Sequence, residues 1–342
     1  MRTVLFAICV GVVALLAAAC SLSGETKEKP EASSQPTAED EGLARLREAR
    51  VAGTLYFTDR SCKLRAVRLP GLRPAQLPPV EGHCRFSLSP DEEGIDATSV
   101  RWSPDGTLKA RPLPGHIELA TDSTAWRFTF QGFAPSFKPD GTPTFVREGR
   151  LLAWTKCSSR NGVAFPDQTS RCAREVFSDA DLERAFSDPA RYLRAVYTIK
   201  DVQWLDDATI AVLVHSHERP GRNIENLVAI FRNRGLIAVP HFSGEPYSDF
   251  RLSPKRRYIH ARGDDTGRVY VFRRRGDEVS TVLVSQRASN GLAFSPDERW
   301  VALGNRGNMT VVRTDQLRDH YYMTGRARLI PVPLRVFDLD WR

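Results

Sequence analysis

The sequence lacks the short motifs that mark the common classes of hydrolase and nucleotide-binding enzyme. It contains no G-x-S-x-G elbow, no S-x-x-K, no H-E-x-x-H and no P-loop, so serine hydrolases, zincins and P-loop NTPases have no support. Lysine is also scarce, because 41 of the 49 basic residues are arginine. A GC-rich genome produces that bias without any functional demand, and this is the simpler explanation. The net charge of +8 would also suit anionic lipid headgroups, cell-wall polymers or an acidic partner.

The first twenty residues predict export from the cytoplasm. Arg2 precedes 17 residues, Thr3 to Ala19, without a charge or a proline. This run is short for a membrane span, which needs about 20 residues, and it suits a signal peptide over residues 1–19. Its end, Leu16-Ala17-Ala18-Ala19-Cys20, resembles a bacterial lipobox with Cys20 as the lipidated residue, although such signals more often carry leucine where Ala17 stands. An ordinary signal peptide and an uncleaved anchor are the alternatives.

Residues 20–50 are predicted to tether the body of the protein to that lipid. Residues 21–40 are small, polar and charged and contain two prolines, a composition typical of a disordered segment. Residues 41–50 form a candidate short helix with Leu43 and Leu46 on one face. Because the body would lie outside the cytoplasm, nucleic acid is not an expected partner.

Four cysteines follow the tether and predict disulfide bonds. In an exported chain, Cys62, Cys84, Cys157 and Cys172 are expected to form two bridges, for which three connectivities exist. We favour the local pairs, Cys62–Cys84 and Cys157–Cys172. A zinc site is the weaker alternative, because no C-x-x-C spacing occurs.

One unit recurs along the rest of the chain: an apolar strand, a turn of the type S-P-D-G, and a second apolar strand. The copies are SVRWSPDGTLKARPL from Ser99, APSFKPDGTPTFV from Ala134, DVQWLDDATIAVLV from Asp201, DFRLSPKRRYIHA from Asp249 and GLAFSPDERWVALGN from Gly291. Proline presets the turn, aspartate can bond to its backbone, and glycine takes the left-handed position. Steps of 35, 67, 48 and 42 residues between the copies suit four-stranded propeller blades, one of them enlarged.

The C-terminal VFDLDWR explains how the ring closes. Trp341 aligns with the aromatic or leucine residue that precedes each turn, namely Trp102, Phe137, Trp204, Leu252 and Phe294. The chain then ends before any turn motif, while GTLYFTD at 53–59 is a second strand without a first. We therefore predict an all-β, six-bladed propeller in which the C-terminal strand completes the N-terminal blade, a velcro closure that leaves no open edge.

The repeat pattern resembles the TolB-like family of six-bladed propellers, which are bacterial envelope proteins. The resemblance covers residues 51–342 and is carried by the five turn motifs, two of them nearly intact at 103–106 and 139–141. It implies a propeller at the cell envelope. We expect a monomer whose partner is an envelope protein or a polymer.

Blade 3 is predicted to carry a small helical insertion at about 157–198. A loop with a cysteine at each end is followed by two helix starts, at Ser178 and at Ser187-Asp188-Pro189. Long excursions are often functional. This one could bind a partner or serve as a lid that seals an apolar face, and the sequence does not separate the two.

The repeat alignment also gives a candidate axial site. Three carboxylates, Asp201, Asp249 and Asp338, lie three residues before the aligned aromatic or leucine, and Asn290 is adjacent to the same position in another copy. Innermost propeller strands line the central channel, so these residues are expected to face one cavity. An oxygen-rich ring suits Ca²⁺ or an ammonium group. The competing interpretation, which we prefer, is that each aspartate caps backbone of a neighbouring blade or binds channel water, and no other cofactor is predicted.

Two further clusters have both a functional and a plain interpretation. His215-Ser216-His217 places both histidines on one face of a strand, as in some metal sites, but an exposed strand end explains it as well. Arginine-rich runs at 255–257 and 273–275 are expected to be solvated blade edges, or an anion-binding patch if neighbouring blades bring them together.

These features favour a non-enzymatic binding scaffold that is lipid-anchored outside the cytoplasm. The alternative is a propeller hydrolase of the lactonase type that depends on an axial cation held by Asp201, Asp249 and Asp338. The sequence departs from such enzymes in that no glutamate can be placed at the axis. A sensory domain that reports to a membrane partner has less support.

Overall fold

The computed structural model describes most of the chain beyond the predicted tether. The described residues are 38–59, 64–76, 101–113, 115–121, 127–154, 173–187, 195–217, 225–243, 247–263, 266–284, 289–305, 309–317, 329–336 and 339–341. All five residues of the lipidation and disulfide predictions lie outside these ranges: Cys20, Cys62, Cys84, Cys157 and Cys172. Those predictions therefore stay predictions.

The described strands form six four-stranded antiparallel sheets, which are the blades. Blade 1 contains β1 (Gly53–Thr58), β2 (Leu64–Leu69), β3 (Arg73–Pro74) and β24 (Leu339–Trp341). Blade 2 contains β4 (Arg101–Trp102), β5 (Leu108–Leu113), β6 (His116–Thr121) and β7 (Arg127–Gln131). Blade 3 contains β8 (Phe133–Phe137), β9 (Pro143–Arg147), β10 (Arg150–Trp154) and β11 (Ala173–Ser178).

The second half of the ring is built in the same way. Blade 4 contains β12 (Val196–Trp204), β13 (Thr209–His217), β14 (Glu225–Arg232) and β15 (Gly235–Ser243). Blade 5 contains β16 (Tyr247–Leu252), β17 (Tyr258–Gly263), β18 (Val269–Arg275) and β19 (Glu278–Val284). Blade 6 contains β20 (Ser289–Phe294), β21 (Trp300–Asn305), β22 (Met309–Arg313) and β23 (Ile330–Val332). The described helices are α1 (Ala38–Glu48), α2 (Asp179–Ala185) and one 3₁₀ turn (Thr314–Gln316).

The innermost strand of each blade faces the propeller axis. These strands are β24, β4, β8, β12, β16 and β20, and neighbours among them contact one another, for example β8 with β12 and β20 with β24. Apolar clusters fill the interfaces between blades 2 and 3, 3 and 4, 4 and 5, 5 and 6, and 6 and 1. The blades therefore follow one another around the ring in chain order, and blades 2 and 5 stand on opposite sides of the axis.

The velcro closure predicted from the sequence is confirmed. Strand β24 pairs antiparallel with β1, with Trp341 opposite Leu55 and Leu339 opposite Phe57. The Trp341 side chain is 2% exposed and its indole Nε1 donates a hydrogen bond to the Ala52 carbonyl at 3.2 Å. Ring closure therefore places a large apolar side chain in the core between blades 6 and 1.

Helix α1 closes the same junction from outside the sheets. Leu46 is fully buried in the core shared by blades 6 and 1, and Leu43 packs against that core. Gly42 lies against β23 so closely that a Cβ atom would come 2.2 Å from the Pro331 carbonyl oxygen. The helix predicted at 41–50 thus begins earlier, at Ala38, and it packs on the propeller.

The repeated turn owes its shape to its serine and aspartate. Ser103 Oγ accepts the Leu108 N–H at 2.9 Å, and the equivalent bonds join Ser253 to Tyr258 and Ser295 to Trp300. Each bond fixes the start of the second strand. All these turns lie at one end of the propeller, which we call the turn face. Because strands alternate in direction, β1 also begins at the turn face, and β12 begins at the opposite face.

The insertion predicted at 157–198 is shorter than expected. Ala173–Ser178 is not part of it but forms β11, the outermost strand of blade 3, and Val196 already begins blade 4. Between these strands, α2 buries Leu182 and Phe186 in the core shared by blades 3 and 4. The described part of the excursion therefore seals an apolar interface, one of the two roles that the sequence left open.

Candidate functional site at the propeller axis

A bulge interrupts four of the described innermost strands at equivalent places. The register skips between Phe133 and Ser136 in β8, Ile199 and Asp201 in β12, Ser248 and Arg251 in β16, and Ser289 and Gly291 in β20. A bulge releases backbone groups from the strand ladder and turns them in a new direction. The bulges therefore make backbone polar groups available to partners outside the ladder near the axis.

Arg101 uses these groups to cross the axis. It lies on β4 of blade 2, and its guanidinium Nη2 is 2.9 Å from Asp201 Oδ2 of blade 4. The same nitrogen donates to the Phe250 carbonyl oxygen at 2.7 Å, and Phe250 lies in the bulge of blade 5. Since blades 2 and 5 stand opposite each other, this one side chain spans the central channel.

The second carboxylate oxygen of Asp201 and the side chain of Gln203 are also bonded within the protein. Asp201 Oδ1 accepts the Val202 N–H at 2.7 Å, and Gln203 Nε2 donates to the Phe250 carbonyl at 3.3 Å. The side chains of Arg101 and Asp201 are 12% and 17% exposed. Burial raises the pKa of the Asp201 carboxyl, while the Arg101 guanidinium and the Val202 N–H act in the opposite direction. The site is a charge-assisted network with little access to water.

The other predicted axial residues are described only in part. Asp249 and Asn290 lie in the bulges of β16 and β20, and their side chains are outside the described part of the structure. Asp338 lies outside the described residues altogether. Among the residues that are described, no three His, Cys, Asp or Glu side chains are close enough together to hold a metal ion. The ring of three carboxylates stays a prediction.

Sequence reasoning missed Arg101. Arg101 stands directly before the aligned Trp102 and two residues after Ser99, the residue that corresponds to Asp201 in the repeat alignment. Residues two apart lie on the same side of a strand, so the positions of Arg101 and Asp201 share one side. If both alignment positions had been considered, Arg101 and Asp201 would both have been predicted to face the axis. The alignment would not have shown that the two side chains are in contact.

A second network joins blades 5 and 6 at the turn face. Glu298 occupies the glycine position of its turn motif with φ of +58°, and its side chain is fully buried. Its carboxylate accepts the Lys255 backbone N–H at 2.5 Å and the Arg257 Nε–H at 2.6 Å, both from blade 5. We call this arrangement the Glu298 clasp.

The preceding blade interface has a similar arrangement. Arg256 takes the glycine position of the blade 5 motif, also with φ of +58°, and the charges of Asp207 and Asp206 in blade 4 act on its guanidinium. Burial lowers the pKa of Arg256. Arg274 of blade 5 bonds to Asp206 at 2.5 Å. The arginine-rich runs thus contain side chains that pair with acids of neighbouring blades, which neither sequence interpretation anticipated.

The histidine pair is only partly described. His215 lies opposite Thr198 at the far end of β13, where the Thr198 hydroxyl donates to its carbonyl oxygen at 3.4 Å. The side chain of His217 is outside the described part. The metal interpretation of this pair therefore stays a prediction.

Comparisons with known proteins bear on the fold. No family model matches the chain, and no curated protein matches it. Among solved structures, TolB from Acinetobacter baumannii is 18% identical, with a TM-score of 0.45 and an alignment covering 84% of this chain. In fold the chain is similar to TolB. The alignment covers 66% of the TolB chain, slightly less than two thirds of its length.

Two other solved structures are similar at lower scores. The β-propeller domain of Cps50 (Swd1) from Myceliophteria thermophila is 13% identical, with a TM-score of 0.39, covering 72% of this chain and 90% of that one. Hydrazine synthase from Kuenenia stuttgartiensis is 13% identical, with a TM-score of 0.38, covering 70% of this chain and 88% of that one. At such identities the likeness concerns the fold alone.

Proposed function

We propose that this protein is a non-enzymatic binding scaffold: a propeller anchored by a lipid on Cys20 at the outer side of a bacterial membrane, which binds an envelope protein or polymer. The observation that carries the proposal is the bond from Arg101 across the axis. Both carboxylate oxygens of Asp201 are engaged inside the protein, one by Arg101 and one by Val202. This arrangement suits a structural brace better than a site that must accept a substrate.

The bonds between blades support the same proposal. The velcro pairing, the Glu298 clasp and the Arg274–Asp206 pair each join separate blades. A ring joined in this way keeps its blades in fixed positions, and rigid scaffolds that present loops are the usual platforms for binding. Fold alone does not assign a function, and it is these contacts between blades that support the scaffold.

The two faces of the propeller differ in the elements that lie on them. Strand β1 begins at the turn face. Helix α1, which directly precedes β1 in the chain, packs against β23. We propose that the face opposite the turn face, where β12 begins, receives the partner. Among the described helices, none combines the length and apolarity required to cross a bilayer.

Photo-crosslinking in the intact cell tests this proposal on the full-length chain. A photoreactive residue at Val196, which is 56% exposed on the opposite face, is expected to capture a discrete partner. The same residue at Arg299, which is 82% exposed on the turn face, is the matched control and is expected not to capture it. In parallel, Cys20→Ala should release the protein from the membrane fraction. Retention of that variant on the membrane would refute lipid anchoring, and the absence of any captured partner would count against the scaffold.

The axial-cation hydrolase is the second candidate function. The observation in its favour is that Asp201 does lie at the axis and that Asp249 lies in the adjacent bulge. Lactone hydrolysis by the purified protein in millimolar Ca²⁺, lost on Asp249→Asn, would establish it. The scaffold proposal predicts no such hydrolysis.

A further inference from the structure

Two oxygen atoms from different blades converge on one nitrogen at the axis. Asp201 Oδ2 of blade 4 and the Phe250 carbonyl oxygen of blade 5 lie 2.9 and 2.7 Å from Arg101 Nη2. One oxygen carries negative charge and the other is a strong neutral acceptor. Charged and carbonyl oxygens at such distances are the partners that a buried cation requires.

The convergence is built into the strands. The bulge in β16 leaves Phe250 without a ladder partner, so its carbonyl is available to donors from two other blades, Arg101 and Gln203. The bulge in β12 comes directly before Asp201 and sets where its side chain emerges. The two oxygens are thus placed by backbone geometry and not by the arginine alone.

We infer that these oxygens form a cation-binding site whose native occupant is the guanidinium of Arg101, so that the chain supplies its own axial cation. The class of ligand is a planar guanidinium or, less well matched, an ammonium group. The inference goes beyond the scaffold proposal, since it concerns what binds at the axis and holds whether or not a partner binds at the faces. The inference also explains how the Asp201 carboxylate can be buried at the axis, because Arg101 of blade 2 supplies the positive charge that compensates it.

If the site exists independently of its occupant, removing Arg101 should leave a vacancy of defined chemistry. The Arg101→Ala variant would retain the Asp201 carboxylate and the Phe250 carbonyl while losing the compensating charge. An uncompensated buried carboxylate destabilises the folded state. Free guanidinium ion that enters the vacancy should restore part of the lost stability by ordinary linkage between binding and folding.

The experiment is chemical rescue of the full-length variant. The melting temperature of Arg101→Ala is measured from 0 to about 20 mM guanidinium chloride, with sodium chloride holding the ionic strength constant. A site of millimolar affinity should raise it saturably, by about 2 °C. The wild-type protein, the double variant Arg101→Ala/Asp201→Asn and the surface variant Arg299→Ala should not be raised. A folded Arg101→Ala variant that responds no more than Arg299→Ala would overturn the inference.

A second pair of variants decides the matter if Arg101→Ala does not fold. Arg101→Lys keeps the positive charge, and Arg101→Gln removes it with a polar side chain that is one atom shorter than lysine. A cation site predicts that the lysine variant melts several degrees higher than the glutamine variant, and that Asp201→Asn abolishes this difference. Equal melting temperatures for the two variants would show that Arg101 acts only by filling space.

Discussion

The Glu298 clasp makes a prediction whose magnitude follows from the structure. Replacing Glu298 by alanine removes two charge-assisted hydrogen bonds, to the Lys255 N–H and to Arg257, each worth about 1.5–3 kcal/mol. Because the Arg257 side chain is 56% exposed, water can solvate it after the change, and the loss of its bond contributes little to the loss of stability. The Lys255 N–H is left without its partner. We therefore expect a loss of about 3 kcal/mol in the free energy of unfolding.

A glycine variant separates the clasp from the turn. Glu298 has φ of +58°, a conformation that costs a residue with a side chain about 1 kcal/mol relative to glycine. Glu298→Gly relieves this strain while losing the same bonds. We expect it to be less stable than the wild-type protein by about 2 kcal/mol and more stable than Glu298→Ala by about 1 kcal/mol.

The matched control is the same position in blade 2. Gly106 has φ of +71°, and a Cβ built there meets no atom within 4 Å. Gly106→Ala thus introduces turn strain without changing a clasp, and about 1 kcal/mol should be lost. Urea unfolding followed by tryptophan fluorescence gives all the values. A Glu298→Gly variant as stable as the wild-type protein would refute the reasoning, because the bonds between blades 5 and 6 would then contribute nothing.

Three other changes test separate parts of the structure. The N–H of Thr142 holds the pKa of Asp140 below its usual value. Ionised Asp140 therefore stabilises the fold above about pH 4, the usual aspartate pKa, and this contribution is lost as the pH falls through the lowered pKa. In urea titrations, the stability difference between the wild-type protein and Asp140→Asn should be larger at pH 7 than in acid. Leu46→Ala empties a fully buried site between α1 and the propeller and should cost about 2–5 kcal/mol by the same assay, whereas no measurable loss would mean that α1 does not pack there in solution. Trp341→Ala removes the indole of the closing strand and should lower the free energy of unfolding by about 3–5 kcal/mol. Hydrogen exchange of the β1 amides should become faster. Unchanged exchange of the Leu55 and Phe57 amides would argue against the velcro pairing.

The parts of the fold that repeat could be predicted from the sequence. The turn serine, the aligned aromatic and the strand that follows recur in each copy, so one copy explains the others. The unpaired strand at each end of the chain then required the closure that places Trp341 opposite Leu55. Such features depend on contacts that are local or that link adjacent repeats, and spacing alone reveals them.

The features that do not repeat could not be predicted. Arg101 meets Asp201 one hundred positions away in sequence, and the partner was fixed by side-chain reach across the channel. The sequence placed Ala173–Ser178 in an insertion, because the flanking cysteines and helix starts suggested a single excursion. The structure assigns this segment to blade 3, since each blade needs a fourth strand to cover the third. The irregular segment between β10 and β11 is therefore the reason why β11 was not predicted from the sequence.

Loss of the consensus turn coincides with new bonds between blades. Where glycine is kept, at Gly106 and Gly141, a Cβ would meet no neighbouring atom. Where it is replaced in blades 5 and 6, Arg256 and Glu298 accept the same left-handed conformation, and both direct charge at the turn of the preceding blade. The local strain of these replacements is thus offset by interactions that a glycine cannot make. In blade 6 the degenerate repeat thus marks an interface that is joined to blade 5 by hydrogen bonds.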